Sequence, residues 1–170
     1  SELTQSEIFT ALRQGDIDLA ISYAIDLPND LEFQAIKSLP PFVMLAPDHP
    51  LAKNEILKVE QLADHAMVLL DLPLSSDYFL SFFNRTGPRP IIAERTKDLA
   101  VARSLVANGF GFSVINYRPI GTHAPDGKPL IFVPLESEVP PLPVGLLSLK
   151  GLASRSIYSA FLDLCREEMK

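Results

Sequence analysis

Gly109 and Gly111, in the run LVANGFGFSVINYRP, are the residues whose type and spacing first suggest chemistry, because closely spaced glycines can cradle a phosphate. In a dinucleotide fold such glycines follow a strand and open a helix, so that helix-start amides meet the pyrophosphate. Here the order is reversed. Ala102, Leu105 and Val106 have helical spacing, Asn108 and Gly109 suit a helix C-terminus, and Phe112 to Ile115 is a short apolar run suited to a buried strand. No cofactor is expected from these glycines. Ser113 stands in GFGFSVI, which lacks the second glycine of a G-x-S-x-G nucleophile elbow and leads into strand residues instead of a helix. His49, His65 and His123 are far apart in sequence and none has an i, i+4 partner, so no metal site is expected. Asp16 and Asp18 flank Ile17 and would point to opposite sides of a strand, which does not suit an acid–base pair. Cys165 falls in an apolar helical stripe and reads as inert core. No catalytic set assembles, and the chain is not expected to be an enzyme.

Binding is better served. Thr4 followed by Glu7 is a capping box, and it places Thr4, Gln5 and Ser6 at a helix start, where unpaired amides and the positive end of the helix dipole favour an anion. Thr96 and Lys97 precede a second helix start, and Lys97 would add a full positive charge. Ser113 needs a partner for its hydroxyl, and Ser22 closes an apolar run at the end where ligands gather in parallel sheets.

These residues must be positioned by alternating helices and strands. The first helix is expected from Gln5 to Gln14, with Ile8, Phe9 and Leu12 as its apolar stripe and Gly15 as its stop. Ile17 to Ile21 reads as a strand covered on both faces, and a polar, Pro-containing loop follows. Strands are then expected at Phe42 to Ala46, Ala66 to Leu70, Ile91 to Glu94, Leu130 to Pro134 and Val144 to Leu149, with a turn at Asp48 to Ala52 and a short helix carrying Val59 and Leu62. Ser76 or Asp77 would cap a helix presenting Phe79, Phe82 and Phe83, ended by Gly87 before Pro88 and Pro90. Thr96 or Asp98 would cap the next. The last helix carries Ile157, Ala160, Phe161, Leu164 and Cys165 at the spacing of a core-facing stripe. This alternation predicts an α/β fold with a mainly parallel sheet. Prolines gather at element junctions, and Leu39 to Val43 and Pro140 to Leu147 are the expected hinge segments between two lobes.

Composition narrows the function. With 170 residues, 47% of them hydrophobic, the chain can bury a sizeable core as one domain or two small lobes. A net charge of −6 argues against a nucleic-acid surface, which needs clustered Lys and Arg. The single cysteine, the lack of a signal-peptide pattern and the lack of a long apolar run point to a cytoplasmic protein that does not enter a membrane. The chain opens on a helix with no preceding strand for it to cross back from, as expected of a piece of a longer protein.

The helix, then RQGDIDLAI, then APDHPLA, then LVANGFGFSVIN, in that order and spacing, resembles the effector-binding domain of LysR-type transcriptional regulators, and DLPLSSDYFLSFF and NYRP look like a subgroup of it. The resemblance runs from the first helix to the last. It implies two Rossmann-like lobes of the periplasmic-binding-protein type II kind, joined by two crossing strands, with residues 1–41 plus 148–170 as lobe one and 42–147 as lobe two. It also implies a small-molecule effector in the cleft, lined by the helix start at Thr4, Gln5 and Ser6, by Thr96 and Lys97 across from it, and by Phe112 and Ser113. Hydroxyls, amides and Lys97 suit a small acid, whereas the phenylalanines equally suit an aromatic or apolar body. Family members carry a winged helix-turn-helix, a linker helix and a first strand, helix and strand of lobe one that this sequence lacks. DNA would thus be held only through a separate N-terminal domain, and the regulatory domain is expected to form a homo-dimer or tetramer. A solute-binding protein of a transporter, with the same two-lobe plan, is the alternative.

Overall fold

The computed structural model describes residues 2–73, 75–84, 89–136, 139–151 and 156–168, with backbone only at 156 and 157. Its elements run α1 (Gln5–Gln14), β1 (Ala20–Tyr23), β2 (Leu31–Leu39), β3 (Phe42–Leu45), β4 (Ala66–Leu70), α2 (Ser75–Ser81), β5 (Ile91–Thr96), α3 (Leu99–Ala107), β6 (Ser113–Ile115), β7 (Ile131–Pro134), β8 (Leu142–Leu149) and α4 (Ser156–Glu168). Short 3₁₀ turns lie at Pro50–Lys53, Val59–Leu62 and Phe82–Asn84. The chain forms two compact units, Ser1–Leu39 with Leu142–Lys170, and Pro40–Pro141. It passes from one to the other within the two Pro-bearing segments expected to be hinges. The strand β8 belongs with the first unit because its ladders run to β1 and β2, although its residues 142–147 were expected in the second.

In the first unit β8 is the central strand of three, antiparallel to both neighbours, with Ala20 opposite Leu147 and Leu31 opposite Leu149. Strand alternation sends Leu146 and Leu147, both fully buried, to opposite faces. Leu147 packs with Leu12 of α1 and Leu31, and Leu146 packs with Tyr158, Leu162 and Cys165 of α4. Gly145 is required where it stands, since a Cβ there would lie 2.2 Å from the Gln34 carbonyl oxygen and 2.8 Å from the Phe33 ring.

The second unit is built on β3, which pairs antiparallel with β6 and β7, while β4 and β5 pair in parallel. Phe112 joins these ladders, accepting from the Val68 amide at 2.7 Å and donating to the Ala66 carbonyl at 2.9 Å. The Gly111 turn makes that approach possible: φ is +142°, and a Cβ would lie 2.1 Å from the Ala66 oxygen. The close approach to Ala66 thus requires Gly111, while Gly109 takes the left-handed φ of +81° just past α3. Phe79, Phe82 and Phe83 fill one side of this unit's core together, and Ala102 and Val106 of α3 close the other.

Several expectations need correction. The mainly parallel sheet is not found: among the described strands only β4 and β5 form a parallel ladder. The strand expected at Ile17 begins at Ala20, because the Asp16 and Ile17 amides still bond the Ala11 carbonyl at the end of α1. Nor is it covered on both faces, with Ile21 51% exposed. The segment expected to be a polar loop contains β2, whose polar residues line a partly exposed strand next to β8. Ser76 and Asp77 lie inside α2 instead of capping it. In α4 the buried row is Tyr158, Leu162 and Cys165, while Ala160, Phe161 and Leu164 are exposed. The sequence offers two overlapping apolar rows there, and the sheet takes the one led by Tyr158. The side chain of Ile157, the residues Gly87 and Pro88 lie outside those described.

Candidate functional site

The start of α1 forms as its sequence dictates. Thr4 donates its hydroxyl to Glu7 Oε2 at 2.6 Å and its amide to the same oxygen at 2.7 Å, and its Oγ1 accepts from the Glu7 amide at 3.4 Å. This doubly hydrogen-bonded carboxyl is held below the usual carboxylate range, chiefly by the Thr4 hydroxyl and then by its amide. Ser6 is exposed, with Oγ 3.3 Å from Thr4 Oγ1. The Gln5 side-chain amide donates to the Tyr23 carbonyl at 3.2 Å and the Ile25 carbonyl at 2.8 Å, which ties the helix start to the end of β1. Among the described residues the backbone amides of Gln5 and Ser6 find no acceptor. Ser6 and Glu7 also line a shallow hollow of about 360 Å³ on the flank of α1, with Leu3, Thr10, Ala11 and Gln14. Ser22, buried in β1 and opposite Gly145, contributes a polar group inside the same unit.

The other expected residues lie on the second unit. Thr96 ends β5, and its Oγ1 accepts from the Asp98 amide at 3.1 Å. Asp98, not Thr96, caps α3, taking the Ala100 and Val101 amides at 2.7 and 3.4 Å. Lys97 between them is exposed and makes no hydrogen bond or ion pair with the described residues. Next to this turn the Asp71 amide donates to the Thr96 carbonyl at 2.7 Å, and Arg95 pairs with Asp71 at 3.2 Å. The Phe112 ring is fully buried in the core with Val43 and Phe83, so it shapes the unit from within and offers solvent no surface. Ser113 is also fully buried, and its hydroxyl has no hydrogen-bond partner among the described residues.

Two residues that the sequence did not single out form a further polar pair on this unit. Asn116, just past β6, donates its side-chain amide to the Tyr78 hydroxyl at 3.1 Å, and Tyr78 donates that hydroxyl to the Pro140 carbonyl at 3.3 Å. Burial pushes the Tyr78 phenol up, and the Asn116 hydrogen bond partly opposes that shift. The signal lay in their placement, a tyrosine one turn into α2 and a polar residue ending an apolar run, which only the folded chain juxtaposes. Among the described residues no group of three His, Cys, Asp or Glu side chains could hold a metal ion, and no helix is long and apolar enough to cross a membrane.

The sequence profile of the LysR substrate binding domain matches residues 1–170. The uncharacterised HTH-type transcriptional regulator YnfL of Escherichia coli is 27% identical over 117 residues, which is 67% of this chain and 39% of that protein. The chain thus spans about two fifths of this curated relative. HinK, a LysR family transcriptional regulator from Pseudomonas aeruginosa, superposes with a TM-score of 0.91 at 30% identity, covering 99% of this chain and 59% of that one. At 20% and 18% identity, the effector-binding domains of QuiR with shikimate and of BenM with benzoate share the fold, each at TM-score 0.78, covering 98% and 99% of this chain and 78% and 76% of theirs. The relatives are regulators, not enzymes, and the transporter alternative finds no support among them. The expected fold class, two lobes of the periplasmic-binding-protein type II kind, is that of the domains matched here. The chain therefore belongs to the LysR substrate binding domain family.

Proposed function

We propose that this domain senses a small anionic metabolite whose acid group sits at the start of α1. The carrying observation is that Gln5 and Ser6 have backbone amides with no acceptor among the described residues, on a helix start fixed by the capping box and by the Gln5 side chain. Helix-start amides and the dipole stabilise an anion by about 0.3 to 1 kcal/mol at exposed sites, and by up to about 2 when partly buried, without needing an Arg. The ligands named with QuiR and BenM, shikimate and benzoate, are both carboxylates, which is the chemistry such a start accepts. Thr4, Ser6 and Ser22, of the same unit, are the further polar contacts we propose for the effector.

In this reading the domain performs no chemistry on its effector and works in the cytoplasm, as part of a homo-dimer or tetramer whose DNA contact belongs to a domain outside these residues. Effector binding regulates only if it favours one of two arrangements of the protein over the other. Net charge −6 supports assigning DNA elsewhere. The test is calorimetric titration of the chain with benzoate and with shikimate, alongside the uncharged benzamide. Saturable binding of a carboxylate that benzamide does not reproduce supports the reading, and equal binding of acid and amide refutes it. Salt-sensitive, sequence-selective binding of duplex DNA by the 170-residue chain would refute the division of labour.

A further inference from the structure

His49 and His65 are well separated in sequence, yet their half-buried rings lie with centroids 4.8 Å apart and planes tilted by 52°. His49 caps the 3₁₀ turn Pro50–Lys53, its Nδ1 accepting the Leu51 amide at 3.2 Å. A neutral imidazole that accepts at Nδ1 carries its proton on Nε2. Adding a second proton makes Nδ1 a donor, which then faces another donor, so the cap and the imidazolium exclude each other. The turn follows directly on β3, with the His49 amide bonded to the Ala46 carbonyl at 3.1 Å, and it carries Leu51 and Ala52 onto the core of the second unit.

The charged surroundings are simple. His65, from the segment leading into β4, faces His49, and Asp48 lies beside it in its own turn. The strand β7, packed on this turn, brings no titratable side chain. Burial and the neighbouring His65 push the His49 imidazole below its ordinary range, while Asp48 pulls it back up.

We propose that the His49–His65 pair is an acid-sensitive latch, in which a proton on His49 releases the Leu51 amide and opens the turn 49–53, and in which the His65 ring sets how acid the solution must be. Because the folded chain binds a proton at His49 less readily than the unfolded chain does, the latch is fully closed above about pH 6.5 and loosens as pH falls below it. Nitrogen-resolved NMR of the 170-residue chain between pH 8 and 5 tests this, over the range where amides of β3 and β8 keep their folded shifts. Expected are a His49 ring with its proton on Nε2 at pH 8, and one titration shared by that ring and the Leu51 amide. His65→Gln should move the shared midpoint upward, and His49→Asn, which caps without titrating, should flatten the Leu51 curve. A Leu51 amide that does not follow the His49 ring overturns the proposal, as does a midpoint unmoved by His65→Gln or a Leu51 titration that persists in His49→Asn.

Discussion

The starts of α1 and α3 are both capped by a side chain, yet they leave different things free. At α3 the Asp98 carboxylate takes two amides itself and brings a full negative charge to the positive end of the helix. At α1 the capping hydroxyl of Thr4 takes one amide and gives its own proton to Glu7, and the Gln5 and Ser6 amides meet no acceptor among the described residues. Both starts hold a carboxylate, Asp98 at α3 beside the exposed Lys97 and Glu7 at α1; what α1 adds is two backbone donors with no acceptor among the described residues. The chemistry of the cap differs between them: a carboxylate that takes two amides itself at α3, and at α1 a hydroxyl that leaves two amides for the ligand proposed above.

The largest effect should come from removing what holds the start of α1 in position. Leu12, fully buried between α1 and the β8 strand, should cost about 2 to 5 kcal/mol when changed to Ala, read from urea unfolding, and should weaken carboxylate binding along with stability. Asp98→Ala comes next. It should destabilise by about 1 to 2 kcal/mol through two lost amide bonds while leaving a carboxylate's affinity unchanged or raised. If Asp98→Ala instead abolishes binding, α3 is the end that takes the ligand and the contrast is reversed. Thr4→Ala should cost about 1 kcal/mol or less, because its bonds are exposed.

The smallest effects concern pH. The fork from the Arg13 guanidinium to Asp30, at 2.7 and 2.9 Å, holds that carboxyl at about 2, and Thr4 holds Glu7 below the ordinary range. Both groups are depressed in the folded chain, so their contribution is present above about pH 4 and fades as acid protonates them, for Asp30 down to about 2. The urea midpoint should therefore fall below pH 4, less steeply in Asp30→Asn than in the parent chain. Identical acid limbs would show that the fork is too well solvated to matter.

How much of this could be read from the sequence differs between local and tertiary features. The capping box of α1 and the bounds Gln5 to Gln14 were legible because Thr4, Glu7 and Gly15 act on their immediate neighbours. The strand β4 was legible as an apolar run between polar turns. The strand β2 was not, because its residues mix polar and apolar and only pairing with β8 gives them a reason to extend. The direction of the ladders depends on which strands meet after the long connections, and no local pattern encodes that. Of the candidate site, the helix start that carries Thr4, Gln5 and Ser6 was legible as a capped end. The Asn116–Tyr78–Pro140 chain and the two adjacent imidazoles needed the fold to bring distant residues together.

The most direct test follows the backbone amides themselves. Benzoate, shikimate and benzamide are titrated into the nitrogen-labelled chain while the Gln5, Ser6, Ala100 and Val101 amide signals are recorded. The account predicts saturable shifts at Gln5 and Ser6 with a carboxylate but not with benzamide, and little movement at Ala100 and Val101. Ser6→Pro removes one amide at a position where the helix tolerates proline, and should weaken that binding by about two- to fivefold with little loss of stability. Shifts confined to Ala100 and Val101, no saturable shift at Gln5 and Ser6 with either acid, or an affinity unchanged in Ser6→Pro would contradict it.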